Sequence, residues 1–453
     1  MPSLVVSGGM VVTPQGAVEA DVAIAGERIV AVAAGLPRDD ARVIDASGLL
    51  VLPGVIDVHT HLRLEDEAHP RRFHQDTLAA ARGGTTTILS FNNPGTGTSE
   101  SGARSVLAGL AEFRARTEGR SAVDYGLSAV LTGQQDDPVA ELPALIAAGV
   151  PTFKAFMVYD FRLPDHRLEA ATRTAARHGG MLQLHCEDPA IIDPLVADAL
   201  AGHRTRPRHH AATRPPQAEA SATRRAIAMA RRLEAPIYIV HLSSAAALDE
   251  VADAKSRGEP VYAETCPHYL TLTEELYSDP DDAEVVKRVI SPPLRSRADV
   301  DALWVGLRDG VLDVVASDHV PDRVDTEKAV PAPPFPRISN GAPGIETLLS
   351  VTYSAGVASR RIGVARLVEV LSAAPARLFG LSGKGAIAPG MDADLVLLDP
   401  DARRTITQAE LSHTSDFTPY EGLPVQGRIR DVIVRGRAIG DAPGRFLERH
   451  LAR

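Results

Sequence analysis

Apolar residues run together or alternate with polar ones in short stretches at both ends of the chain. These stretches are rich in β-branched and aliphatic residues, as β-strands are. Turn-forming glycine and proline separate them. Because both ends are β-rich around one long middle, we expect the ends to meet in a small β-sandwich built from residues 1–52 and 384–453. The predicted strands of this domain include 4–13, 20–25, 28–32, 393–398 and 431–435.

The middle of the chain alternates apolar, strand-like runs with helical segments. One helix is predicted over 72–82, where Gly83 and Gly84 would end it. Eight strands alternating with helices predict an α/β fold, a (β/α)8 barrel over 53–383. A doubly wound open sheet is the alternative, although no Gly-x-Gly-x-x-Gly motif follows the first strand. The charged, proline-rich stretch 320–340 is predicted to be a long loop over one end of the barrel. The predicted strands are 55–59, 86–91, 125–131, 150–156, 181–186, 237–242, 261–264 and 311–317.

Composition excludes several classes of protein. A chain of 453 residues is long enough for a large barrel with an accessory domain. A net charge of -10 argues against nucleic acid or an anionic membrane as the main partner. No apolar run reaches the roughly 18 residues needed to span a bilayer, and the first ten residues lack the basic segment of a signal peptide. Cys186 and Cys266 are too few for a disulfide framework, so we expect a cytoplasmic protein.

Histidines and an aspartate fall at the ends of the predicted barrel strands. His59 and His61 lie two residues apart at the end of the first strand, so their side chains point to one face. The fifth, sixth and eighth strands end in His185, His241 and Asp318. The carboxyl ends of barrel strands converge on one mouth, where such donors suit zinc or a similar divalent ion. Taken singly, the histidines could be core residues and the aspartate a helix N-cap, but their common position favours a metal site.

A lysine lies between apolar residues within the fourth predicted strand. Lys154 occupies the centre of 151–156 (PTFKAF). It could be a solvated lysine, which is the usual fate of this residue. Burial on an inner strand would instead lower its pKa and favour the neutral amine. A neutral amine can capture carbon dioxide, and the resulting carbamate would be an anionic ligand able to bridge two metal ions.

Together these motifs resemble the cyclic amidohydrolases of the amidohydrolase superfamily, which comprise hydantoinases, dihydropyrimidinases, allantoinases and dihydroorotases. The resemblance covers nearly the whole chain and implies two divalent ions per subunit, with zinc expected. In that family, residues matching His59, His61 and Asp318 hold the more buried ion. Residues matching the histidines of the fifth and sixth strands hold the more exposed ion, and a carboxylated lysine matching Lys154 bridges the two. Further matching motifs are 83–86 (GGTT), 264–270 (ETCPHYL), 291–295 (SPPLR), 340–346 (NGAPGIE) and 384–395 (KGAIAPGMDADL).

The resemblance also implies a reaction, in which a hydroxide bridging the two ions attacks the carbonyl carbon of a cyclic amide. Asp318 would accept the hydroxide proton and pass it to the leaving ring nitrogen. Tyr159 matches a tyrosine that donates a hydrogen bond to the developing oxyanion, and an aromatic residue of the barrel rim is the alternative reading. Ser291 and Asn340 match positions whose backbone groups bind the amide edge of the ring. Members of the family are oligomers, so a homodimer or homotetramer is expected.

The motifs disagree about which ring is the substrate. Arg63 and Asn93 match positions that bind a substrate carboxylate in dihydroorotases, and the arginine fork suits a carboxylate. Asp322 stands where dihydroorotases place a second carboxylate-binding residue, and its charge would repel an anion. Arg63 could instead form an ion pair at the barrel mouth, with the acidic residues 65–67 as candidate partners. We therefore predict a hydantoinase- or dihydropyrimidinase-like hydrolase. Dihydroorotase or allantoinase is the alternative, and a non-enzymatic binding protein of the same fold is a remote one.

Overall fold

The computed structural model describes residues 2–65, 67, 69–92, 104–329, 331 and 333–452. Within these residues no helix is long and apolar enough to cross a membrane. The strands are β1 (Leu4–Thr13), β2 (Gly16–Ala25), β3 (Arg28–Ala33), β4 (Arg42–Asp45), β5 (Leu50–Pro53), β6 (Val55–Thr60), β7 (Thr85–Asn92), β8 (Asp124–Leu131), β9 (Thr152–Phe156), β10 (Met181–His185), β11 (Ile237–Ile239), β12 (Val261–Thr265), β13 (Val314–Val315), β14 (Leu395–Thr405), β15 (Pro424–Val434) and β16 (Arg437–Ala438). The α-helices are α1 (Arg72–Arg82), α2 (Val106–Thr117), α3 (Pro138–Ala147), α4 (Asp165–His178), α5 (Pro189–Ala201), α6 (His209–Ala212), α7 (Pro216–Leu233), α8 (Ala245–Ser256), α9 (Pro267–Thr271), α10 (Asp282–Val286), α11 (Arg297–Arg308), α12 (Leu348–Thr352), α13 (Val364–Val368) and α14 (Ala374–Leu378). Short 3₁₀ turns lie at Glu274–Ser278, Phe335–Arg337 and Gln408–Glu410, and π-helical turns at Tyr353–Ala358 and Glu369–Ala373.

The central barrel consists of β6 to β13, which pair in chain order as parallel neighbours among the described residues. Its strands are buried along almost their whole length because helices cover their outer faces; β8, for example, is buried at every position. The barrel closes where His61 N donates to His319 O at 2.8 Å and Thr60 bridges to His319. The predicted (β/α)8 barrel is therefore confirmed, and the open-sheet alternative is wrong because the first and last strands meet.

A separate sheet joins the two ends of the chain, as predicted. Its order is β16-β15-β14-β5-β1-β2-β3, with β4 also paired to β1. The N- and C-terminal halves are connected by antiparallel pairing of β14 with β5, where Leu395 lies opposite Pro53. Apolar residues from both halves, such as Val22 and Leu395, pack into one core cluster. The borders 1–52 and 384–453 of this domain stay a prediction.

A buried ion cluster connects this sheet to the barrel. Lys384 Nζ lies 2.6 Å from Asp394 Oδ2, 2.8 Å from Asp124 Oδ2 at the start of β8, and 3.1 Å from Asp392 Oδ2. The Lys384 side chain is only 3% exposed, so its charge depends on these carboxylates. The chain then returns to the barrel after β16, where Tyr125 N donates to Arg445 O at 2.9 Å.

Helix α1 has the predicted limits, but two barrel strands are shorter than predicted. The runs 237–242 and 311–317 contain only the short strands β11 and β13. His241 and Asp318 follow these strands with φ angles of 39° and 49°. Such left-handed backbone cannot continue a strand, so both side chains lie just beyond the sheet. The stretch 320–340 is loop, as predicted, with one 3₁₀ turn among its described residues.

Candidate active site

A cavity of about 390 Å³ opens at the carboxyl ends of the barrel strands. Lys154, His185, His241 and Asp318 contribute to its lining, as the sequence predicted. Aromatic and aliphatic side chains line the cavity between these groups and solvent: Leu62, Leu64, Phe91, Phe156 and Phe161. A concave, partly apolar site with a few convergent polar groups is the usual form of a small-molecule site.

Asp318 lies against the two histidines of the first strand. Its Oδ1 is 2.9 Å from His59 Nε2 and 3.3 Å from His61 Nε2. One donor atom each from His59, His241 and Asp318 lies within 4.8 Å of the other two. The N-cap alternative for Asp318 is wrong, because the next described helical turn begins at Phe335.

His185 and His241 form a second histidine pair beside the first. His185 Nδ1 lies 2.9 Å from His241 Nε2, and the ring centroids are 4.5 Å apart. Burial lowers the pKa of both imidazoles, which favours the neutral form that binds metal ions. Both rings line the cavity together with His61, and the ring centroid of His59 lies 5.4 Å from that of His241.

Lys154 lies at the centre of β9 with its amine in the same cluster. It is 1% exposed, and burial lowers its pKa to about 8, as expected. Its Nζ has no hydrogen-bond partner within the described ranges and lies 5.0 Å from the centroid of the Phe91 ring. Buried polar atoms without partners are rare, and this nitrogen and oxygen donor set fits divalent ions.

Two buried glutamates orient the histidines, and sequence analysis assigned a role to neither. His59 Nδ1 bonds to Glu264, whose Oε1 also accepts from His241 N at 3.2 Å. His185 Nε2 lies 2.7 Å from Glu187 Oε2. A carboxylate behind a ligating histidine fixes its tautomer and ring orientation. The available signals were the place of Glu264 at the end of the seventh strand and the His-x-Glu spacing of His185 and Glu187.

Tyr159 lines the cavity beside the second histidine pair. Its ring centroid is 5.5 Å from that of His185, and the guanidinium of Arg214 lies 5.2 Å from its ring. Burial raises the pKa of its hydroxyl, so the group stays protonated and able to donate. Its φ of 75° lies in the left-handed region, as do those of His241 and Asp318. Such strained backbone clusters at functional sites.

Ser291 and Asn340 both line the cavity. Ser291 Oγ lies 3.3 Å from His210 Nε2. The segments that carry the two residues are joined by a backbone hydrogen bond from Gly341 N to Val289 O at 3.1 Å. The structure thus brings both predicted positions to one wall.

Arg63 lines the cavity, but its guanidinium is engaged by two carboxylates. Asp322 and Glu327, from the loop after the eighth strand, both form ion pairs with it. The prediction that residues 65–67 pair with Arg63 is therefore wrong for the described residues of that stretch. Glu65 pairs with Arg120 instead. Residue 66 and Asn93 lie outside the described residues.

Comparisons with known proteins agree with this arrangement. The amidohydrolase family model matches residues 50–439. A D-hydantoinase of Streptomyces coelicolor is 40% identical over 446 residues, 96% of this chain and 94% of the relative, and a D-hydantoinase of Ralstonia pickettii is 38% identical over 98% of both. The crystal structure of a dihydropyrimidinase from Brevibacillus agri has a TM-score of 0.92 and 37% identity, with 99% of both chains covered. With its barrel, its terminal sheet and its converging histidines, this chain belongs to the amidohydrolase family.

Proposed function

We propose that this enzyme opens the cyclic amide bond of hydantoins, dihydropyrimidines or related cyclic ureides and imides. The observation that carries the proposal is the amine of Lys154, buried and without a hydrogen-bond partner in the described chain. His61, His185, His241 and Asp318 line the same cavity as Lys154, and His59 lies against Asp318. The relatives named D-hydantoinase and dihydropyrimidinase, matched over nearly their whole length, support the same reaction.

The donor set divides into two groups that would hold two divalent ions, with zinc as the first candidate. His59, His61 and Asp318 would bind one ion, and His185 and His241 the other. Lys154 would bridge them as a carbamate: its neutral amine forms a bond to the carbon of carbon dioxide and loses one proton to solvent. When bound, such ions lower the pKa of water and polarise a carbonyl oxygen.

The side chains around the ions would move the protons and hold the ring. Asp318 would take the proton of the attacking water and deliver it to the ring nitrogen as the carbon–nitrogen bond breaks. The Tyr159 hydroxyl would donate a hydrogen bond to the carbonyl oxygen as negative charge develops there. Backbone groups at Ser291 and Asn340 would bind the amide edge of the ring.

The surroundings of Arg63 favour a neutral ring over an anionic one. Asp322 and Glu327 both form ion pairs with the one guanidinium of Arg63. A substrate carboxylate would have to compete with both. This supports a hydantoinase- or dihydropyrimidinase-like specificity over that of a dihydroorotase.

We further propose that the protein works in the cytoplasm as a homodimer or homotetramer. Its two cysteines are free, buried thiols, which suits a reducing compartment. Sedimentation of the purified protein tests the oligomeric state, and a monomer would contradict it.

The bridging role of Lys154 is tested by metal analysis together with hydantoin hydrolysis. The wild-type chain should carry close to two divalent ions and open hydantoin. Lys154→Ala should lose at least one ion and most of its turnover. Lys287→Ala serves as a control because Lys287 pairs with Glu284 in an i,i+3 contact outside the cavity lining. Full metal loading and normal turnover in Lys154→Ala would remove the lysine from the site.

A further inference from the structure

Lys328 is a fully buried lysine that neither the metal site nor the proton transfers use. Its side chain is 0% exposed, a rare state for lysine unless its charge is satisfied. Its Nζ donates to Val289 O at 2.8 Å and to Ser339 O at 2.7 Å. Val289 lies two residues before Ser291, and Ser339 directly precedes Asn340. One ammonium group therefore joins the two chain segments that form the wall expected to bind the ring.

The backbone of Lys328 is itself anchored within the loop after the eighth strand. Its N donates to Arg323 O at 3.0 Å, and Arg323 N donates to Glu327 Oε2 at 3.0 Å. Glu327 and Asp322 in turn pair with Arg63 beyond the first strand. These hydrogen bonds hold the backbone of Lys328 in place, and its long side chain extends from there to the two segments.

Lys328 is not the only connection between these segments. Gly341 N also donates to Val289 O, at 3.1 Å. Removal of the ammonium would leave this bond in place while Ser339 O loses its charged donor. The expected consequence is a displaced wall in a folded protein.

We propose that Lys328 is a positioning residue for ring opening, whose ammonium fixes the backbone at Ser291 and Asn340 where the amide edge of the substrate binds. The inference rests on the proposed function, because it gives those two backbone positions a substrate. Lys328 is absent from the cavity lining among the described residues, so it acts through the two segments it joins.

This role predicts a particular kinetic signature. Backbone groups that hold the ring edge contact it in both the ground state and the transition state, so their displacement raises KM with little change in kcat. The proposed metal ligands lie on or just after barrel strands and not on these two segments, so metal content should not change. A general loss of stability would instead lower the amount of active enzyme without a change in KM.

The experiment compares Lys328→Met with wild type on a 5-substituted hydantoin. We expect KM to rise roughly tenfold or more, since misplaced positioning groups are costly, with kcat within about threefold and metal loading unchanged. Lys328→Gln, whose amide can still donate, should show a smaller rise in KM. If Lys328→Met does not fold, the KM of Lys328→Gln is the test.

Lys255→Met is the matched control. Lys255 Nζ donates to Gly310 O at 3.3 Å and lies 2.7 Å from Asp313 Oδ2, before β13 at the other end of the barrel. Its KM should equal that of wild type.

Hydrogen–deuterium exchange gives a readout that does not need activity. Peptides covering 286–292 and 336–343 should exchange faster in the folded Lys328 variant than in wild type, and a peptide covering β9 should not. Wild-type KM in an active Lys328 variant overturns the inference, as does unchanged exchange of both peptides. Failure of the proposed function would look different, because wild type would then open no cyclic amide while the exchange difference remained.

Discussion

Asp318 is the residue whose surroundings most directly define its chemistry. Its carboxylate lies 2.9 Å from His59 Nε2 and 3.3 Å from His61 Nε2. Burial alone would raise its pKa, but the neighbouring His59 and His61 hold that pKa well below the usual range. The group is therefore ionised at neutral pH, which is the protonation state that a proton acceptor requires.

Replacement of this carboxylate by an amide tests the proton transfer. Asp318→Asn keeps the size of the side chain and an oxygen donor, so much of the bound metal should remain. Turnover of hydantoin should fall by about 10²–10⁴-fold, the usual contribution of a general acid–base group. The measurement is kcat together with metal content. A rate near that of wild type in the metal-loaded variant would show that another group transfers the proton.

Arg63 is predicted to support the mouth of the cavity and not to bind substrate charge. Arg63→Ala leaves Asp322 and Glu327 without their cation, which should disturb the loop for every substrate. We expect kcat/KM to fall for a neutral hydantoin as well as for dihydroorotate. Arg120→Ala, which removes the half-exposed partner of Glu65, should change neither. A loss for dihydroorotate with unchanged kcat/KM for the neutral hydantoin would instead assign Arg63 to a substrate carboxylate.

The individual side chains differ in how well the sequence predicts them. His59 and His61 are recognisable from their spacing alone, since alternate residues of a strand share a face. Glu264 and Glu187 cannot be recognised from spacing alone. Their role depends on the histidines that they contact, and the fold decides those contacts. The predicted partners of Arg63 were wrong for the same reason. Its observed partners, Asp322 and Glu327, lie 259 and 264 residues away along the chain.

At the scale of elements, strand ends decide where the chemistry lies. The alternation of apolar runs predicted each barrel strand, but β11 and β13 end earlier than their apolar runs do. His241 and Asp318 leave the β region with positive φ, and no local pattern of apolar residues encodes that change. Irregular backbone at these ends is what turns both side chains toward the cavity.

The connection between β8 and the terminal sheet depends on the buried charge of Lys384. Lys384→Met would leave Asp394 buried without this cation, while Asp124 would keep its ion pair with Arg435. Loss of one partner of a buried ion pair costs about 3–5 kcal/mol, and we expect a decrease of that size in the free energy of unfolding, measured by urea denaturation. Lys287→Met, which breaks a partly exposed pair, should cost about 0–1 kcal/mol. Equal effects of the two variants would show that the cluster does not hold the sheet to the barrel.

At the scale of the whole molecule, the fold followed from the order of elements along the chain. The β-rich ends and the alternating middle predicted a barrel with a small β-sandwich built from the two ends, and the pairing of β14 with β5 joins the ends as expected. The same pattern says nothing about subunit association, because that depends on surfaces and not on the periodicity of the core. The pattern also leaves open which ring binds, because the ion-pair partners of Arg63 lie in the loop after the eighth strand and only the fold brings them near.

The central claim is that this site opens neutral cyclic amides. The most direct test measures initial rates of ring opening by the metal-loaded enzyme on hydantoin, a 5-substituted hydantoin, dihydrouracil, allantoin and dihydroorotate. We predict that the hydantoins and dihydrouracil are opened, with kcat/KM for dihydroorotate at least about 100-fold lower, because Asp322 and Glu327 already engage the guanidinium of Arg63 and would compete with a substrate carboxylate. Preferential opening of dihydroorotate, or no opening of any of the five rings, would contradict this account.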